Sequence, residues 1–249
     1  MRDFGGGTLI LTRAAPDNTD LARDLRAAGA KVIEFPCIAV EPIDDADALG
    51  SSLGALTSDD CLVVTSRAGA RAVVQALAGQ PLRAALAVVG PATERVAREL
   101  GLDVSFRPSR ADGASLGAEL RLPRGTVVLA RSDHSAGEIV AVLRDRGARV
   151  RELVVYRTTI RADAIAPADL RDACSRGAVV LLASPSAVDG FARSVGADLA
   201  ARCRLVAIGP TTAQRIHQLL GREAFVAARP GLPAIVTAIS EAQRSEVPA

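Results

Sequence analysis

The sequence predicts an α/β protein built as two parallel-sheet domains that exchange their first βαβ units. Three observations carry this reading. Short apolar runs of the kind buried in a parallel sheet alternate with amphipathic helical stretches along the whole chain. The pattern then repeats: Thr8 and Thr126 open equivalent strands, Gly29 and Gly147 end equivalent helices, and Ser66 and Gly90 are answered by Ser184 and Gly209, at an offset of 118 residues in the first three pairs and 119 in the fourth. Finally, extended segments at 36–42, bounded by Pro36 and Pro42, and at 156–160 follow the two opening βαβ units, where the chain leaves one domain for the other.

The elements follow in order. Residues 8–12 are a short β-rich run; Leu21, Ala22, Leu25 and Ala28 have helical spacing over 20–28; Gly29 stops that helix and 31–35 resumes a strand. Beyond the extended 36–42 come a helix over 46–55, a strand over 61–65, a helix over 68–77, a strand over 86–89, a helix over 92–100 and a strand over 104–106. The opening βαβ then recurs as a strand over 126–131, a helix over 136–146 and a strand over 149–156. A helix over 167–175, strand over 179–183, helix over 186–195, strand over 205–208, helix over 211–220, strand over 224–227 and helix over 232–242 complete the chain, and 244–249 read as a frayed end.

The repeat alone permits two partitions, one of consecutive halves and one in which the domains swap their opening βαβ. The extended segments favour the swap. One domain then comprises 1–36 with 161–249, the other is inserted at 43–156, and 37–42 and 157–160 are linker strands forming a hinge. A chain of 249 residues accommodates two such domains. With aromatics at only 2% and no Trp, their cores must be built from Ala, Val, Leu and Ile.

Composition excludes several classes of function. Net charge is +2 and no basic block occurs, which argues against nucleic acid as a partner. Lys31 is the only lysine, so nearly every cation is a planar guanidinium suited to carboxylates. No signal-like or membrane-length apolar run is present, and Cys37, Cys61, Cys174 and Cys203 are scattered among apolar residues; a reduced, cytoplasmic protein without membrane attachment is expected. Neither metal-ligand spacing nor a nucleotide-binding glycine fingerprint occurs. Of the two histidines, His217 falls within a helix, and His134 lies in a loop after a strand as a possible site residue.

In open parallel sheets ligands bind beyond the carboxyl ends of the strands. Those positions hold Arg13, Thr65, Ser66, Arg67, Gly90, Thr93, Arg131, Ser184, Ser186, Gly209, Thr211 and Thr212. Helix N-termini there offer unpaired N–H groups and a positive dipole end, glycine permits close approach, and Pro91 and Pro210 at the first helical position sacrifice no hydrogen bond. Each hydroxyl taken singly is an ordinary N-cap; the doubled set points to an anionic ligand.

Several phrases, in this order and spacing, resemble uroporphyrinogen-III synthase: Val64-Thr65-Ser66-Arg67, Val154-Val155-Tyr156-Arg157-Thr158, Ala183-Ser184-Pro185-Ser186 and Ala207-Ile208-Gly209-Pro210-Thr211-Thr212. The resemblance spans 8–239. It implies two flavodoxin-like domains with the active site in the cleft between them, and a cofactor-free lyase that cyclises hydroxymethylbilane to uroporphyrinogen III with inversion of ring D and loss of water. It places Tyr156, the one tyrosine, where the family's tyrosine stands, as the residue assisting departure of the hydroxyl. A monomer is expected, because the double domain already forms its own cleft. The competing reading is a synthase-like fold that binds ligand or regulates without turnover.

Overall fold

A computed structural model describes residues 7–133, 137–161, 166–228 and 232–245. His134 and the terminal segments 1–6 and 246–249 lie outside the described residues. The chain divides into two compact units: the residues through Ala39 with those from Thr159 onward, and Val40–Thr158.

The first unit opens with strand β1 (Thr8–Leu11), helix α1 (Ala15–Ala27) and strand β2 (Lys31–Glu34). Strand β3 (Ile38–Pro42) then crosses into the second unit. There follow α2 (Ala46–Gly54), β4 (Cys61–Val64), α3 (Arg67–Leu77), β5 (Ala85–Val88), α4 (Pro91–Glu99), α5 (Gly113–Glu119), β6 (Thr126–Ser132), α6 (Glu138–Asp145) and the twelve-residue β7 (Arg149–Ile160), which crosses back. The first unit is completed by α7 (Ala168–Ser175), β8 (Val179–Leu182), α8 (Pro185–Val195), α9 (Ala197–Ala201), β9 (Arg204–Ala207), α10 (Pro210–Leu220), β10 (Phe225–Val226) and α11 (Leu232–Arg244).

Two five-stranded sheets result. One has the order β10-β9-β8-β1-β2 with every pairing parallel. Numbered within its unit it reads 2-1-3-4-5, the flavodoxin-like doubly wound order, whose topological switch point lies between β1 and β8. The other has the order β3-β7-β6-β4-β5, with β7, β6, β4 and β5 parallel. Its core order is the same, 2-1-3-4 counted from β6, with β3 added at the edge, so its switch point lies between β6 and β4.

Alternation along each strand explains why both faces of both sheets are covered. Ile10, Val180, Leu182, Leu205 and Ala207 pack on α7, α8, α9 and α10, while Leu9, Leu11, Val179, Leu181 and Val206 face α1 and α11. In the second unit Leu62, Val64, Leu86 and Val88 meet α2, α3 and α4, and Cys61, Val63, Val127 and Leu129 meet α5 and α6. Among the described residues no helix is long and apolar enough to cross a membrane.

Sequence and structure differ at several places, among them helix α9, which the sequence reading lacks, residues 104–106 and helix α5. Residues 104–106, read as a strand, make one isolated bridge, Phe106 with Ala87. Helix α5 has no clear signature in the sequence, because Gly113 and Gly117 weaken its local propensity. It forms because the Asp112 carboxylate caps it by accepting from the Ser115 N–H at 2.7 Å and because Leu116 is fully buried. A Cβ at Gly117 would stand 2.9 Å from a Val142 methyl, so the glycine lets α5 lie against α6.

Two stability predictions follow from the packing. A Cβ at Gly190 in α8 would come within 2.6 Å of the Cys37 carbonyl oxygen, a backbone atom. Gly190→Ala is therefore expected to cost roughly 1–3 kcal/mol through overpacking, read from the denaturant midpoint; an unchanged midpoint would contradict this contact. Asp60 joins the amino ends of β4 and β6, its carboxylate accepting from the Thr126 N–H at 2.8 Å and from the Thr57 N–H and hydroxyl at 2.9 Å each. These bonds, the Thr126 one first, hold its pKa below the ordinary 3.8. Because the folded value is the lower one, the stabilisation is present above about 3.8 and is lost as pH falls through the folded value. Urea titrations should show Asp60→Asn less stable at pH 7 by about 1 kcal/mol, allowing for solvent exposure, with the gap closing in strong acid.

Candidate functional site

Parallel pairing sends the carboxyl ends of each sheet's strands to one edge, and there the described candidate residues collect, unit by unit. In the second unit β4 passes into α3 through Thr65, Ser66 and Arg67, and β5 passes into α4 through Gly90. β6 ends at Arg131 and Ser132, and β7 carries Tyr156. In the first unit β1 leads to Thr12 and Arg13, β8 to Ser184 and Ser186, and β9 to Gly209, Thr211 and Thr212.

Four of the helix N-termini on these edges fall into two kinds, with one of each kind in each unit. Ser66 caps α3, its Oγ accepting from the Gly69 N–H at 2.9 Å, and Ser184 caps α8, accepting from the Ala187 N–H at 3.2 Å. By contrast α4 and α10 begin Gly-Pro, and no side chain caps either. First-turn N–H groups and a dipole end left without a side-chain cap are groups suited to an anion. Thr93 and Thr212 occupy the third helical position there and are only 5% and 3% exposed, whereas Thr211 is exposed.

The two glycines are not equivalent. Gly90 and Gly209 both have extended φ, −162° and −164°, which any residue adopts. At Gly90 a Cβ would stand 3.0 Å from the Ala111 methyl, so an added methyl is crowded there. At Gly209 it would meet nothing within 4 Å. The open space over Gly209 adjoins an uncapped helix N-terminus.

The arginines divide as well. Arg13 and Arg67 are half-buried at their helix starts, and Arg13 lies 3.8 Å from Asp17. Arg131, which the sequence aims at a ligand, is instead 6% exposed and donates through Nη1 to the Glu152 carboxylate on β7. A charge at the end of an apolar strand reads as solvent-facing; its partner, 21 residues away on the neighbouring strand, carries no sequence signal.

Tyr156 owes its position to an irregularity. Along β6 and β7 the register pairs Arg131 with Val154 and then Ser132 with Tyr156, skipping Val155. This register shift falls where the half-buried phenol reaches the start of α3. The Tyr156 and Ser66 hydroxyl oxygens are 3.0 Å apart, although the residues are 90 positions apart in the chain. Neither the register shift nor this contact is visible in the sequence.

Other groups set the frame. The Thr12 hydroxyl, fully buried, donates to the Leu181 carbonyl at 2.7 Å and ties β1 to β8 at the switch point. Asp189 of α8 accepts from Arg215 of α10 at 2.8 Å, fixing the two helices whose N-termini carry Ser184 and Gly209. Burial pushes the Cys37 thiol up to about 12 and the Cys61 thiol up to about 11, so both stay protonated at neutral pH.

Comparison with known proteins places this architecture. The family model described as uroporphyrinogen-III synthase HemD matches residues 19–237. A uroporphyrinogen-III synthase from Synechococcus elongatus is 31% identical over 253 aligned residues, covering 95% of each chain. A solved structure of a mutant uroporphyrinogen III synthase from the extremely thermophilic bacterium Thermus thermophilus superposes with a TM-score of 0.61 at 18% identity, over 97% of this chain and 100% of that one. That of uroporphyrinogen-III synthetase from Helicobacter pylori gives 0.56 at 14% identity, over 95% and 97%. At these identities the structures share a fold.

The glycine contrast is testable by stability alone. Gly90→Ala is expected to lower the thermal midpoint measurably, whereas Gly209→Ala should stay within about 0.5 kcal/mol of the parent. Equal losses at both sites would contradict the difference in space above the two glycines.

Proposed function

The chain belongs to the uroporphyrinogen-III synthase family, and from that membership we propose that it cyclises hydroxymethylbilane to uroporphyrinogen III, inverting ring D and releasing water. The observation that carries the proposal is a match to a synthase of the same family at 31% identity over 95% of both chains. The reaction is a dehydration followed by carbon–carbon bond rearrangement. Loss of the terminal hydroxyl, driven by the electron-rich pyrrole, leaves an azafulvene. Attack by the substituted carbon of ring D forms a spiro-pyrrolenine, which fragments and recloses with the ring inverted.

Such chemistry asks little of a protein nucleophile and much of positioning. The substrate is a flexible polycarboxylate, and its unassisted closure yields the uninverted isomer. An enzyme must hold the chain in the shape that favours attack at the substituted carbon. The uncapped starts of α4 and α10 supply N–H donors and dipole ends for carboxylates, with Thr93, Thr211 and Thr212 in their first turns. Arg13 and Arg67 add guanidinium groups, Thr65, Ser184 and Ser186 add hydroxyls, and the open space over Gly209 admits a ligand against the backbone. Arg131 enters this reading as a brace between β6 and β7, not as a contact.

Tyr156 is the proton donor in this proposal. As the hydroxyl's carbon–oxygen bond breaks, the phenol proton passes to the departing oxygen, giving water. The phenolate recovers a proton when the final ring closure releases one, so no net proton is consumed. The same proposal makes the enzyme a cytoplasmic monomer.

Purified protein incubated with freshly prepared hydroxymethylbilane should give predominantly the type III isomer on chromatographic separation. Tyr156→Phe should reduce kcat by roughly 10²-fold, the lower range for loss of a positioned acid. Type I product alone, at the uncatalysed rate, would overturn the synthase reading. Full turnover by Tyr156→Phe would remove only the acid role.

A further inference from the structure

We infer that Ser66 is the positioning residue of Tyr156: its hydroxyl donates a hydrogen bond to the phenol oxygen, leaving the phenol's own proton directed outward for transfer. The inference rests on the reading of Tyr156 as proton donor.

The geometry allows two proton arrangements along the 3.0 Å line between the Ser66 and Tyr156 hydroxyl oxygens. If the phenol donated to Ser66, its proton would be held in an internal bond and withdrawn from any ligand. The cap favours the opposite direction. Ser66 Oγ already accepts from the Gly69 N–H at 2.9 Å, so one of its lone pairs is engaged at the start of α3. Its own O–H is then best used on an acceptor, and the phenol oxygen stands at hydrogen-bonding distance.

The arrangement also has a chemical consequence. When the phenol gives up its proton, the resulting oxyanion accepts from Ser66 Oγ–H, a bond that strengthens as negative charge develops. The positive end of the α3 dipole lies behind the same serine. Ser66 therefore acts on the transition state through Tyr156, and its absence should lower kcat more than it raises KM. Ser184, the corresponding cap 118 residues later, has its Oγ occupied by the Ala187 N–H at 3.2 Å, and the unit that contains it has no tyrosine.

Two measurements test the inference, one of them independent of turnover. Tyr156 is the only tyrosine and the chain has no Trp, so the tyrosine Fermi doublet in the Raman spectrum reports this phenol alone. Its intensity ratio is high where the phenol oxygen accepts and low where the phenol donates strongly. The wild type should show the acceptor ratio, and Ser66→Gly should lose it; a strong-donor ratio in the wild type would overturn the assignment. Glycine is chosen because it replaces a serine N-cap at a cost of only a few tenths of a kcal/mol.

The second measurement is a double-mutant cycle on type III synthesis. Ser66→Gly should reduce kcat about tenfold, consistent with one hydrogen bond to a developing charge, and change KM less than about twofold. On the Tyr156→Phe background it should have no further effect beyond about twofold, and Ser66→Thr should restore most of the rate. A full additional loss on that background, or a rise in KM with kcat unchanged, would make Ser66 an independent substrate contact and overturn the inference while leaving the synthase reading intact. Full turnover by Tyr156→Phe would overturn it too. An inactive wild type would sink the synthase reading, and the Raman ratio would still decide the direction of the hydrogen bond.

Discussion

Parallel strand pairing is the constraint on which the rest of this structure depends. Parallel neighbours cannot be joined by tight turns, so every return is made by a helix, and those helices cover both faces of each sheet. The same geometry sends all strand carboxyl ends to one edge and sets a helix N-terminus after most of them. An edge rich in N–H donors and hydroxyls is thus a product of topology before any residue is selected for chemistry. In both units the order that begins 2-1-3-4 puts the switch point where Thr12, Arg13 and Ser184, or Ser66, Arg67 and Arg131, collect.

Within that frame, similar caps have taken different work. A serine cap accepts from one first-turn donor of α3 and of α8, while the Gly-Pro starts leave α4 and α10 without a side-chain cap. One serine cap, Ser66, is also within bonding distance of the only tyrosine. One helix start stands open beside unfilled space at Gly209, and another stands against a phenol. The difference lies in which strand passes beside it and with what register.

Much of the fold was legible because it rests on local signals. Val179–Leu182 and Cys61–Val64 are fully buried strands and read as unbroken apolar runs; α3, α8 and α10 show clear amphipathic spacing and start at Ser or Gly-Pro. Helix α5 was illegible because its stability comes from Leu116 burial and from a close approach of Gly117 to α6. The ion pair of Arg131 was illegible for a related reason: its partner Glu152 comes from the adjacent strand, and only pairing reveals that the guanidinium is buried.

By itself the sequence determined most of the element types, their alternation, the repeat and the chemical character of the strand ends, since these depend on periodicity and turn residues within a few positions. The repeat alone left open which βαβ unit joined which sheet, and only the extended segments favoured the exchange. The tertiary structure decided that, along with the register shift opposite Ser132 and the meeting of Ser66 with Tyr156. Strand pairing and register are set by burial of whole faces between distant segments, and a shift of one residue changes which side chain points where. The phenol's neighbours were therefore beyond the reach of any local pattern.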